Sequence, residues 1–501
     1  MRVLAATIAN AFVRASGVLR EIAFAGAFGA GPEADALNAA LRVPNLFRDV
    51  FAEGAFAHAF IPVFARSAAE RGDAEGWRFL NAALFWLTCG SGVVALSAVL
   101  FPSAWVTVVA SGFPPEKAAL AASLVQVSTP FLVGLALASA IGASLTVKGR
   151  VVTAVAAPAM VNATVLLACL LPGPLWTTLG VAPIVGIAIA TTLGGFGSVA
   201  TQLPTLWGAG WRPSLVLRHP DLSTLLTFVL PALTGIIAVQ ASNLVDLQLA
   251  ARLGDGAVSH VTYALRVIQL PMHLFAGSVA AAALATTASA VAEGRLDDGR
   301  RSAVTSIGLV AFLVAPVSIG LFFRADDAVR LLFQRGAFSA TDTAAVGAIV
   351  VVYALGGVAM ALHRLLVPTL YAWGDARSPL GASLAVLALR VPFSIVVATP
   401  AHLGVLGIAL AHTLASTAEV ALLFALLDRR AGGLARPVVA DVLRTCAASL
   451  VMAASLFSLS RAPLLVAAVV AGLVYGAAAW LVGSPHVASV AERVSRRLGR
   501  P

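Results

Sequence analysis

Two apolar runs near the start of the chain carry groups that could do chemistry: Arg14, Arg20 and Glu21 in the first, Asn45, Arg48, Asp49 and Glu53 in the second. Successive helical residues turn by about 100°, so Arg14 and Glu21 nearly eclipse, and Arg20 lies within roughly 120° of both. By the same arithmetic Asn45, Arg48, Asp49 and Glu53 share an arc of roughly 140°, which leaves the rest of that helix to Phe and Val. Arg42, Asp246, Arg266, Arg364, Arg390 and Glu419 interrupt other apolar runs. A charge at the centre of a bilayer costs at least ~2.5–3.5 kcal/mol on insertion scales, so such residues must face protein or a water-filled cavity. Arginine suits phosphate because its planar fork stays charged and donates two parallel hydrogen bonds. A chamber with several arginines and few acids selects a phosphorylated or otherwise anionic cargo.

The elements that must position these groups are membrane helices. The 501 residues are 59% hydrophobic and 11% charged, with mean hydropathy +0.93, where a soluble domain carries about 25% charged residues. Net charge is +10. No soluble basic domain exists to hold nucleic acid, so the excess is assigned to cytoplasmic loops and an anionic ligand. A spanning helix needs about 20 mostly apolar residues. That ruler finds fourteen candidates, at 5–28, 35–65, 79–102, 119–147, 151–171, 180–207, 222–252, 257–291, 302–324, 341–372, 378–399, 403–427, 439–460 and 463–483. Loops after even-numbered candidates hold Arg66, Arg71 and Arg78, Lys148 and Arg150, Arg212 and Arg218, Arg295, Arg300 and Arg301, Arg377, and Arg429, Arg430 and Arg436. The tail adds Arg493, Arg496, Arg497 and Arg500. Loops after odd-numbered candidates are poorer in Lys and Arg, so both termini are expected in the cytoplasm. Arg14, Arg20 and Glu21 interrupt the first apolar run without a signal-peptidase-like ending, which reads as a retained first span.

A weak internal repeat relates spans 1–2 to spans 7–8. ASGVLREIAFAGAFGAG at 15–31 and ALRVPNLF at 40–47 resemble ASNLVDLQLAARLGDG at 241–256 and ALRVIQLPMHLF at 264–275. Six helices separate the copies, so the repeat is parallel, with a pseudo-twofold axis along the membrane normal and two lobes flanking a cleft. Structural roles stand beside the functional ones. Arg42 and Arg48 can snorkel, Asp49 and Glu53 can neutralise them, and Arg390 with Glu419 can form a buried pair. Cys89, Cys169 and Cys446 have neither metal nor disulfide spacing, and His58, His273, His363 and His412 lack ligand spacing, so no metal or other cofactor is expected. Pro44, Gly54 and Pro62 are helix breakers, read equally as hinges or kinks.

RVPNLFRDVFAEGAFAHAFIPVF at 42–64 closely resembles the span 2 signature of the MurJ/MviN lipid II flippases, within the multidrug/oligosaccharidyl-lipid/polysaccharide exporter superfamily. FVRASGVLREIAFAGAFGAGPEADAL at 12–37, LLFQRGAFSATDT at 331–343 and VPTLYAWGDARSPL at 367–380 carry the likeness along the chain. The resemblance implies an all-α polytopic protein of the bacterial cytoplasmic (inner) membrane. It implies a first lobe of helices 1–6 over 1–212, a second of helices 7–12 over 213–430, and helices 13–14 with a basic tail over 431–501. The implied activity is export of undecaprenyl-pyrophosphate-linked peptidoglycan precursor to the periplasmic leaflet. Lipid II, membrane lipids and cell wall synthesis proteins are the implied partners. Carried over, the resemblance marks Arg14, Arg20, Glu21, Arg48 and Arg266 as cargo-binding. It places Asp35 and Glu53 at gates, forming or breaking pairs with Arg48; Arg42, Asn45 and Asp49, on the same span, are the further gate or ion-pair candidates. Apolar spans 13–14 are the expected groove for the prenyl tail.

The chain also departs from the family pattern. YALRVIQLP at 263–271 has Leu265 and Gln269 where many relatives are acidic around the span 8 arginine, which makes that side more positive. Some relatives build a sodium site from an acid in span 7 and Asn or Asp in span 11. Asp246 fits the first, but span 11 reads ASLAVLALRVPFS with Arg390. Asp246, Arg390 and Glu419 therefore form the candidate cation-coupling region. A fixed guanidinium there favours cycling driven by potential or protons over sodium coupling. Two other classes compete with this one: another exporter of the superfamily, and a non-transport membrane scaffold or polymerase. The first is an exporter of another polyprenyl-linked oligosaccharide, or of drugs or metabolites; a drug exporter would usually favour an acidic or aromatic cavity for cationic drugs, and the sequence shows neither. An enzyme would need a sizeable extramembrane loop, and no loop here is long enough.

Overall fold

The computed structural model describes residues 2–51, 55–375, 377–399 and 401–487. Glu53 and Gly54, and the side chains of Asp49, His58 and His273, lie outside the described residues. Twenty-one helices and no strand occur among the described residues. They divide into two compact units, Met1–Ser259 with Phe333–Ser339, and His260–Leu332 with Ala340–Pro501. The first holds α1 (Arg2–Phe28), α2 (Pro32–Phe51), α3 (Ala55–Arg71), α4 (Asp73–Leu100), α5 (Pro102–Ala110), α6 (Pro115–Ser128) and α7 (Phe131–Val147). It continues through α8 (Val151–Ala156), α9 (Ala159–Leu170), α10 (Gly173–Thr178), α11 (Pro183–Gly208), α12 (Asp221–Ala250) and the start of α13 (Ala257–Ala292). The second holds the rest of α13, then α14 (Leu296–Phe323), α15 (Ala325–Phe333), α16 (Ala340–Leu355), α17 (Gly357–Ala372), α18 (Arg377–Val397), α19 (Val405–Ala431), α20 (Ala435–Ser458) and α21 (Leu464–Leu481).

Each of the fourteen expected extents coincides with a helix or a consecutive helix pair. Among the described residues nine helices are long and apolar enough to cross a membrane, and the bent pair α16 and α17 makes a tenth. Leu450, Phe457, Leu473 and Leu481 of α20 and α21 are each at least 70% exposed. Large apolar side chains so displayed are at home in lipid, not water. The protein is a polytopic membrane protein.

In the first unit the Phe-rich stretch after Gly54 builds the core. Phe56, Phe60 and Phe64 recur every four residues and stack in sequence on one face of α3, and Phe60 also stacks on Phe79 of α4 at 5.1 Å. Small residues let backbones touch. A Cβ on Gly134 of α7 would lie 2.6 Å from the Gly195 carbonyl carbon of α11. The 209–220 loop is strapped to α4. Trp211 donates to Asn81, Asn81 donates to the Arg212 carbonyl and Ser214 Oγ, and Trp86 donates to the Leu217 carbonyl. α12 packs on α2, α3, α4 and α5.

In the second unit α14, α20 and α21 enclose a core of Phe312, Met452, Leu456 and Tyr475 with intervening alanines. Tyr475 donates its hydroxyl to the Phe312 carbonyl at 2.8 Å, so its one polar atom is satisfied. α16 and α17 meet at a 51° bend at Gly356. The Gly356 N–H turns to Tyr353, three residues back, which strips the Val352 carbonyl of its helical donor. Thr413 Oγ1 of α19 donates to it at 3.0 Å, the side-chain repair that tolerates a break at membrane depth.

Candidate functional site

α1 and α2 place the charges of the first unit. Arg20 donates to Glu21 Oε1 at 2.5 Å, with side chains 26% and 15% exposed, so this pair is half-buried on its helix. Arg14, one and a half turns earlier, is exposed. On α2, Arg42 donates to Gln240 of α12 at 2.8 Å, and Arg48 donates to Asn45 Oδ1 at 3.3 Å. The second bond is the i, i+3 contact that the expected polar arc implies. The structure thus joins Asn45 to Arg48 and Arg20 to Glu21.

Asp35 behaves differently from the expectation. It is fully buried, and its carboxylate accepts from Lys117 Nζ at 3.0 Å, from the Gly256 N–H at 2.7 Å and from the Ser259 N–H at 2.8 Å. Its partner is Lys117, not Arg48. Thirteen residues separate Asp35 from Arg48 on α2, about 20 Å at 1.5 Å per residue, so a direct pair is out of reach. Two of the acceptor contacts lie at the start of α13, where orphan N–H groups and the helix dipole favour an anion. Gly254 and Gly256 both take positive φ, +100° and +83°, to turn the chain into that helix. Lys117 completes the cluster with Asp255 at 2.7 Å and lies 4.6 Å from the centre of the Phe113 ring. Sequence reasoning missed Lys117, although it is one of only two lysines in the chain and begins a span with no neighbouring base.

The end of α1 is held by the 335–338 segment. Ala337 N–H donates to the Gly26 carbonyl at 2.8 Å. A Cβ on Gly336, at φ +56°, would stand 2.1 Å from that carbonyl oxygen, and one on Gly29, at φ +61°, 2.5 Å from the Ala337 oxygen. Only glycine fits either place.

In the second unit Arg266 is half-buried on α13 and Arg364 is exposed on α17. Glu419 of α19 lies 3.2 Å from His363 Nε2 and accepts from Ser383 Oγ at 2.5 Å. The expected Arg390–Glu419 pair is not formed. Glu419 is served by the α17 imidazole and the α18 hydroxyl, while Arg390 is buried on α18 with other contacts. His363 and Ser383 are functional candidates that spacing could not reveal, because they converge with Glu419 from three helices. Asp246 is buried on α12 in the first unit.

Apolar helices that keep charged side chains half-buried along their length are the arrangement a membrane transporter uses to line a polar path. A family model for lipid II flippase MurJ matches residues 24–481. A probable lipid II flippase MurJ of Rhizobium meliloti (strain 1021) is 32% identical over 459 residues, covering 89% of this chain and 83% of that protein. The lipid II flippase MurJ of Burkholderia cenocepacia is 30% identical, covering 75% and 73%. A solved structure of lipid II flippase MurJ in an inward closed conformation matches with TM-score 0.79 at 21% identity, covering 99% of both chains. An inward-facing MATE family transporter of the MOP superfamily matches at 0.67 and 16% identity, covering 85% of this chain and 96% of that one. The two structural matches establish the fold. The chain belongs to the lipid II flippase MurJ family.

Proposed function

We propose that this protein moves lipid II from the cytoplasmic to the periplasmic leaflet of a bacterial inner membrane, by alternating access between two lobes. The observation that carries the reading is the family match, which runs through both compact units. The topology proposed with it has fourteen crossings, both termini in the cytoplasm, lobes at 1–212 and 213–430, and a prenyl groove in the helices of 431–501.

Arg20 and Arg266, with Arg14 and Arg48, hold the pyrophosphate in this reading, and the Arg20–Glu21 pair supports it. A guanidinium already satisfied by one carboxylate keeps donors for an anion but binds it less tightly than a bare one, as cargo that must be released requires. Arg42, Asn45, Asp49 and Glu53 belong to gates, and Asp35 to the element that fixes α13.

The test is a strain depleted of its own flippase and supplied with wild-type or variant protein. Wild type restores growth and lowers lipid II in the cytoplasmic leaflet, while Arg20→Ala and Arg266→Ala reach the membrane at normal level and leave lipid II on the cytoplasmic side. Normal growth of both variants refutes the pyrophosphate role, and failure of wild type to lower cytoplasmic lipid II refutes the cargo.

A further inference from the structure

Glu419 stands in the middle of α19, fourteen residues from its start and twelve from its end. Its Oε1 receives the Ser383 hydroxyl of α18 at 2.5 Å and lies 3.2 Å from His363 Nε2 of α17. Among the described residues no lysine or arginine pairs with this carboxylate; His363 is its salt-bridge partner, and His412 also acts on it electrostatically. The other charged and titratable groups on the packed elements are accounted for. On α19 itself, His412 lies two turns before Glu419, its ring 5.6 Å from that of Tyr353 of α16, and Asp428, Arg429 and Arg430 close the helix. α17 adds Arg364, the residue after His363 and so about 100° round the helix, and Tyr371 near its end. α18 adds Arg377 at its start and the buried Arg390, and α16 adds Asp342, which is held by His260 at 3.0 Å. α14, which also packs on α17, has no ionisable side chain between Ser302 and Phe323.

The choice of histidine as partner has a consequence for charge. Arginine or lysine would neutralise Glu419 at every physiological pH. An imidazole does so only when protonated, and histidine is the side chain that gains and loses its charge between about pH 5 and 8. With one dissociable proton the cluster is neutral, as imidazolium and carboxylate or as imidazole and carboxylic acid. Without it the cluster carries a full negative charge at membrane depth, which is disfavoured there. The proton also decides how strongly α17 is tied to α19, and α17 is one half of a span bent at Gly356. His363 is 33% exposed and Glu419 16%, so the imidazole is the more accessible partner while the carboxylate stays largely enclosed.

We propose that His363, Glu419 and Ser383 form a proton-binding site that couples transport to the proton gradient, with one proton shared between His363 and Glu419. The proposal rests on the transport reading above and assigns its driving ion.

The test uses the full-length protein in liposomes containing lipid II, with the membrane potential clamped at zero by potassium and valinomycin. One proton per cycle makes a one-unit pH gradient worth about tenfold in the final distribution of cargo between leaflets. Wild type is expected to build up such a bias, whereas His363→Gln and Glu419→Gln equilibrate lipid II without it. Ser383→Ala, which retains both titratable groups, is expected to narrow the bias and stands in should either variant fail to reach the membrane. An unbiased wild type, or variants biased as strongly as wild type, overturns the proposal. If wild type moves no lipid II under any condition, the cargo reading fails, and spin-label distances between the lobes decide the proton site separately. They should change between pH 8 and pH 5.5 in wild type and stay fixed in both Gln variants, and a pH-independent wild type overturns the site.

Discussion

Lys117 is one cation between two carboxylates, and the geometry ranks them. Asp35 is wholly enclosed, whereas the Asp255 side chain is 62% exposed. The interaction that matters for stability is therefore with Asp35, because water screens the other. Lys117→Ala leaves an enclosed carboxylate with only its two N–H donors, and breaking a buried pair from one side costs on the order of 3 kcal/mol. Asp35→Asn should cost less, since the amide oxygen still accepts at the start of α13 and Lys117 keeps Asp255. Thermal unfolding of the purified protein checks this: a melting temperature for Lys117→Ala equal to wild type contradicts the assignment. None of this was legible from spacing. The partners of Asp35 lie 82 and more than 220 residues away, and the visible hint was a GDG turn at 254–256 with no stated partner.

At the scale of elements, two kinds of contact fix where helices end. Gly29 and Gly336 let α1 and the 335–338 segment approach within carbonyl contact. Gly336→Ala should destabilise the protein by about 2 kcal/mol or more, from its left-handed backbone and the clash with Gly26 together. Gly92→Ala on α4, where a Cβ meets nothing within 4 Å, should leave stability unchanged or raise it by up to ~1 kcal/mol through helix preference. Equal melting temperatures for the two variants would remove the close-approach argument. The loop before α12 makes a second prediction. His219 is buried against Phe79, 3.1 Å from Glu75, beside Asp221, which also pairs with Arg71. Burial holds its imidazole below the usual range, more than Asp221 and Glu75 raise it. The unfolded chain therefore takes up the proton first, so the contribution of neutral His219 is present above about pH 6.5 and is lost as pH falls through that value. Wild-type melting temperature should drop between pH 7 and pH 5 more steeply than that of His219→Gln, and parallel curves would contradict it. Helix extents were legible because apolar length is a one-dimensional signal. The Gly356 bend was not, because its repair comes from Thr413, 57 residues later in the chain.

At the scale of the whole molecule, the proposed function has arginines of α1 and α13 grip one cargo. Sequence pattern indicated the membrane class and the charged helices, and the family blocks indicated the cargo. Tertiary pairing decided which charges are structural: Asp35 is held by Lys117, and Glu419 by His363 in place of the expected Arg390. A double-mutant cycle on lipid II affinity tests the central claim most directly, using wild type, Arg20→Ala, Arg266→Ala and the double variant in the same lipid. If, as proposed, both guanidiniums hold one pyrophosphate they act as a unit, so each single variant should weaken binding and the double should depart from the summed effects by about 0.5–3 kcal/mol. Strictly additive losses, or single variants that bind lipid II as tightly as wild type, would contradict it.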